Sequence, residues 1–143
     1  MIKSMNHVSF TVKNIEKSID FYISILGFSL VDKSDRDVNF TRAVTGIEGA
    51  YLKIAYLKVV NCTIELVEYA KSGNKKLKFE KRDIIPSHVC FNVSDFDLMM
   101  EKIINARVKL SGDIQNILEG PNRGKKVVYF KDLDGNGLEF ISI

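Results

Sequence analysis

The chain has two histidines, and they open two near-copies of one short phrase: Asn6-His7-Val8-Ser9-Phe10-Thr11-Val12 and Ser87-His88-Val89-Cys90-Phe91-Asn92-Val93. In both, polar and apolar residues alternate with the two-residue period of a strand, which puts each histidine on the polar face. Two glutamates recur in the same manner. Glu65 stands between Ile64 and Leu66, and Glu139 between Leu138 and Phe140, each on a stretch that reads as the last strand of its copy. Taken singly, any of the four could simply face solvent. Their coincidence across a repeat makes His7, Glu65, His88 and Glu139 the expected ligands of one divalent ion. Neutral nitrogen with hard oxygen favours nickel or zinc, with cobalt, manganese or iron also suited, over calcium.

The elements that must carry these residues read as one order used twice. After the opening strand, Asn14 is an N-cap, and Ile15, Ile19, Tyr22, Ile23 and Leu26 recur at helical spacing until Gly27 supplies a left-handed stop. Strand-like stretches follow at 28–33, 50–59 and 61–69. In the second copy Ser94 caps a helix, with Asp97 three residues on, and Phe96, Met99, Met100, Ile103 and Ile104 form its inner face. A looser strand at 107–110, a hairpin candidate at Gly120-Pro121-Asn122-Arg123-Gly124 and a closing strand pair at 126–131 and 137–141 complete it. The division is module one 1–70, linker 71–84 and module two 85–143, making a single domain.

At 143 residues and 45% hydrophobic, the chain can bury a real core. Cys62 and Cys90 form neither a C-x-x-C pair nor a disulfide framework, which suits a reducing, cytoplasmic setting. A formal charge of +3 with dispersed lysines gives no nucleic-acid footprint. No apolar run has the length of a membrane span, and the first residues lack the pattern of a signal peptide.

The ordered motifs resemble the vicinal oxygen chelate superfamily, the glyoxalase and bleomycin-resistance group. They are N-H-V-S-F-T-V, S-I-D-F-Y-I-S-I-L-G-F, I-E-L at Ile64 to Leu66, S-H-V-C-F-N-V, and Y-F-K-D-L-D-G-N-G-L-E-F from Tyr129 to Phe140. The resemblance implies an α+β fold of two βαβββ modules in a curved, incomplete mixed barrel with helices outside, and a homodimer. It implies that the positions of His7, Glu65, His88 and Glu139 hold the metal, as in glyoxalase I and acyl-coenzyme-A epimerases. The implied activity is that of a lyase or isomerase removing a proton beside a carbonyl, where a Lewis acid stabilises the enediolate's charge. Glu139 is the expected base, with Glu65 as partner or second base.

The substrate is a small molecule whose identity the motifs leave open. Glyoxalase I has an arginine four residues after its first histidine and an asparagine four residues after its first glutamate, both for glutathione. Here those positions are Thr11 and Tyr69. Alternatives are a ring-cleaving dioxygenase, a drug-binding protein, or a thiol transferase of the fosfomycin-resistance kind. The dioxygenase and the transferase use two histidines and one glutamate, which leaves Glu65 without a role. Candidate substrate contacts are Arg42, Arg123 and Cys90. Asp132-x-Asp134-x-Asn136-Gly137 begins like a calcium loop, but Ile143 stands where its final glutamate belongs, so it reads as a turn.

Overall fold

A computed structural model describes residues 5–45, 47–71, 88–118 and 122–143. The chain forms two compact units, Met1–Asp83 and Ile84–Ile143. The fold is α+β, with two four-stranded mixed sheets and, among the described residues, three helices.

In the first unit, β1 (Val8–Thr11) leads through α1 (Ile15–Ser24), β2 (Ser29–Arg36) and α2 (Val38–Thr45) to the long strands β3 (Ala50–Val59) and β4 (Cys62–Lys71). The sheet order is β1-β4-β3-β2, with β1 parallel to β4 and the other pairs antiparallel. The alternation in β1 has the expected consequence: Phe10 and Val12 are buried, together with Ile64 and Leu66 of β4. Helix α1 lies against β3 and β4. Tyr22, fully buried, meets Phe10 face to face at 6.4 Å and Phe28 edge-on at 5.5 Å.

The start of α1 is held from two sides. Asn14 accepts from the Lys17 N–H, as an N-cap does. Glu68, on β4, accepts from the Ile15 N–H at 2.8 Å and also holds Lys53 Nζ at 2.8 Å. This places a carboxylate on an otherwise orphan amide at the positive end of the helix. Glu68→Ala should therefore cost about 1–2 kcal/mol, read as a lowered urea midpoint; an unchanged midpoint would mean water replaces the carboxylate without loss. The helix ends through Gly27, whose φ of +77° is the left-handed conformation the sequence pattern required.

The second unit runs β5 (His88–Val93), α3 (Phe96–Asn105), β6 (Gln115–Asn116), β7 (Lys126–Lys131) and β8 (Gly137–Ser142), with sheet order β5-β8-β7-β6. Again the opening strand lies parallel beside the closing one. Phe130 and Phe140, both buried, meet at 4.6 Å.

Several expectations need correction. The cap of α3 is Asp95, which accepts from the Leu98 N–H, because the helix starts at Phe96 rather than one residue earlier. Ile23 and Ile104 are exposed, while Phe21 takes a buried place on α1. No strand forms at 107–110: Arg107 has a φ of +55°, and only an isolated bridge joins Leu110 to Phe130. Helix α2 was unexpected. Asp37 starts it by accepting from the N–H groups of Asn39 and Phe40. Strand β4 runs on to Lys71, past the expected boundary of module one. Most of the linker, and Gly120 and Pro121 of the hairpin candidate, lie outside the described residues. Among the described residues no helix is long and apolar enough to cross a membrane.

Candidate metal half-sites

The same register builds a histidine–glutamate pair in each unit. Ser9 of β1 pairs with Glu65 of β4, and Cys90 of β5 pairs with Glu139 of β8. Each histidine lies two residues upstream on the same face as that paired position, so its ring reaches the glutamate of the neighbouring strand. His7 Nε2 is 3.4 Å from Glu65 Oε2, and His88 Nε2 is 2.9 Å from Glu139 Oε2.

These separations fit a shared cation. Two donors at about 2.1 Å from one ion stand about 3.0 Å apart when at right angles and about 3.4 Å apart in a tetrahedron. In the first unit His7 Nδ1 lies 2.8 Å from Asn6 Oδ1, an acceptor, which leaves Nε2 as the nitrogen facing the carboxylate, where a proton or a metal cation would bridge the two.

A tyrosine from the next strand completes each pair. Tyr56 lies opposite Glu65 on β3 and donates its hydroxyl to Oε1 at 2.5 Å. Tyr129 lies opposite Glu139 on β7. Both rings meet the histidine edge-on, His7–Tyr56 at 5.5 Å and His88–Tyr129 at 5.1 Å. The hydrogen bond to Glu65, helped by burial, pushes the Tyr56 phenol up to about 12. Burial first, and then the Glu139 charge, raise the Tyr129 phenol. The sequence reading missed both tyrosines and Asn6. A tyrosine on the penultimate strand of each unit was the available signal, but only strand register shows that it faces the glutamate.

The other candidates fall out differently. Cys90 shares the face of His88 and pairs with Glu139 in the register; burial, then that negative charge, push its thiol up to about 11. A thiol raised to about 11 has a thiolate population about a hundredfold below that of an ordinary cysteine, and the more basic sulfur recovers about tenfold of reactivity. Metal-free protein should thus alkylate at Cys90 about ten times more slowly at pH 8 than an unperturbed thiol, followed by mass spectrometry. Alkylation at the ordinary rate would show that neither burial nor Glu139 restrains this thiol. Arg42 is exposed in the last turn of α2, and Arg123 is exposed in a turn; neither is joined to a histidine–glutamate pair by a described contact. The Asp132–Asn136 segment is a turn, as expected: Asp132 accepts from the Asp134 and Asn136 N–H groups and from the Asn136 amide. Among the described residues, no three histidine, cysteine, aspartate or glutamate side chains are grouped so as to hold a metal. What the structure builds is one two-donor half-site per unit.

Two sheets in which a parallel opening and closing strand carry a histidine–glutamate pair define a paired-module protein of glyoxalase type. The chain belongs to the Glyoxalase/Bleomycin resistance protein/Dioxygenase superfamily, whose model matches residues 4–140. It is similar to the metallothiol transferase FosB of Staphylococcus haemolyticus, 32% identical over 142 residues that cover 97% of this chain and 83% of that protein. It is also similar to a 2-epi-5-epi-valiolone epimerase of an Actinomyces species, 28% identical over 146 residues, covering 98% of this chain and 79% of that enzyme. Both relatives are enzymes. The fosfomycin resistance protein FosX of Listeria monocytogenes, solved with Mn(II) and sulfate, shares the fold at a TM-score of 0.66 and 17% identity, over 100% of this chain and 94% of that one.

Proposed function

We propose that this protein is a divalent-metal-dependent isomerase or epimerase that moves a proton on a carbon beside a carbonyl of a small, oxygen-rich molecule. His7, Glu65, His88 and Glu139 together hold the ion, drawn from the two units of one chain or of two chains in a homodimer. The observation that carries the reading is Glu65: its Oε2 faces His7 Nε2 at 3.4 Å, which makes a fourth donor that a two-histidine, one-glutamate site does not need. When bound, the ion supplies Lewis acidity to the substrate's oxygens. Glu139 is buried, with Tyr129 opposite it in the register and His88 Nε2 at 2.9 Å from its Oε2. It takes the carbon proton at a carboxylate oxygen and returns it, to the same carbon in an epimerisation or to its neighbour in an isomerisation. A first-row ion is preferred; the manganese of the FosX structure is compatible with this donor set.

A second reading, metallothiol transfer, is favoured by the 32% identity to FosB along nearly the whole chain. The comparisons support it better than they support lactoylglutathione lyase, and Thr11 and Tyr69 in place of the glutathione anchors agree. One experiment separates the readings. Metal-loaded protein is incubated in deuterated water with 2-epi-5-epi-valiolone and, separately, with fosfomycin plus cysteine. Deuterium entering a carbon beside the ketone supports the proton-transfer reading. Loss of fosfomycin with formation of a thioether overturns it in favour of the transferase.

A further inference from the structure

The geometry points to Asn6 and Tyr56 as positioning residues that occupy the unused atoms of His7 and Glu65, so that the first unit offers one nitrogen and one oxygen, and no more, to the ion. This deepens the metal reading above and rests on it. Each of the two ligands has a second polar atom that could compete for a cation or turn away from it. On His7 that atom is Nδ1, and Asn6 Oδ1 accepts from it at 2.8 Å. On Glu65 it is Oε1, and the Tyr56 hydroxyl donates to it at 2.5 Å. The atoms left over, Nε2 and Oε2, are the two that face each other at 3.4 Å.

Three further observations make this an arrangement rather than an accident of one rotamer. Tyr56 and Glu65 are direct partners in the β3–β4 register, so the backbone itself sets their spacing. The Tyr56 ring stands edge-on to His7 at 5.5 Å, bracing the imidazole that Asn6 orients. In the second unit Tyr129 stands in the equivalent register opposite Glu139 and makes an equivalent ring contact with His88. Groups that hold a ligand's other atom fix its tautomer and direction, and their loss commonly weakens metal binding about 10–100-fold.

With one oxygen engaged by Tyr56, Glu65 would offer the ion Oε2 alone.

The test is a double-mutant cycle read by metal affinity and not by activity. Nickel(II) is titrated calorimetrically into metal-free wild type, Tyr56→Phe, Glu65→Gln and the double variant, and visible spectra are recorded with cobalt(II). Tyr56→Phe keeps the ring and loses the hydroxyl. It should weaken nickel about tenfold and alter the cobalt bands, while adding Tyr56→Phe to Glu65→Gln should change affinity no further. Asn6 is exposed, so Asn6→Ala should fold and should weaken nickel similarly, with no added effect on top of His7→Ala. Wild-type affinity and an unchanged cobalt spectrum in Tyr56→Phe would overturn the inference, as would an equal loss in the wild-type and Glu65→Gln backgrounds. If wild type binds no metal, the metal reading fails and this inference with it, a result distinct from either of those.

Discussion

Glu139→Gln is expected to lower turnover by about three orders of magnitude or more, because a positioned acid–base group contributes about 10²–10⁴-fold and the same side chain is also a proposed metal ligand. The substitution is nearly isosteric. The glutamine keeps nearly the same volume beside Tyr129 and His88, and the flanking Leu138 and Phe140 remain buried, so β8 keeps its place. Two mechanisms of loss can be told apart by raising the metal concentration. If Glu139 were a ligand only, saturating metal would restore most of the rate. If it moves the proton, the loss persists in fully loaded enzyme, and deuterium exchange at the substrate carbon is lost in step. Near-wild-type turnover would remove Glu139 from the chemistry.

Removing the metal should have an equally large effect on activity and a measurable one on stability. A chelator is expected to take turnover to background, with recovery on adding nickel(II) or manganese(II). An ion that binds the folded chain and not the unfolded one stabilises it by about 2.7 kcal/mol at a hundredfold excess over Kd. The melting temperature should therefore rise with metal concentration, and His88→Ala should abolish that rise. Activity that survives exhaustive chelation would rule out the proposed chemistry altogether.

How much of this was visible in the sequence depends on the range of the interaction involved. The faces of β1, β4, β5 and β8 follow from alternation, a local property: Ile64, Leu66, Leu138 and Phe140 are buried, as the flanks of Glu65 and Glu139 required. Asn14 and Gly27 bound α1 through contacts a few residues long. Local signals also misled where two residues competed for one task. Ser94 with Asp97 matched a capping pattern, yet the buried Phe96 set the phase of the helix and made Asp95 the cap. Helix α2 depends on Asp37 and on the buried Thr41, which hydrogen-bonds the Asp37 carbonyl, and a weakly apolar eight-residue segment announces neither.

The half-sites were half legible. The repeat named the histidines and glutamates, but their pairing rests on a parallel register between strands far apart in the chain. Tyr56 and Tyr129 were hidden for the same reason. A tyrosine in a strand is ordinary until the antiparallel partner across from it proves to be a carboxylate.

The most direct measurement is a calorimetric titration of chelator-treated protein with nickel(II) and zinc(II), run beside His88→Ala. The account predicts one tight site per chain in the wild type and its disappearance in the variant, since neither half-site has enough donors by itself. Wild type that binds no metal, or a His88→Ala variant that binds as tightly as wild type, would contradict the claim that the two histidine–glutamate pairs hold a single ion.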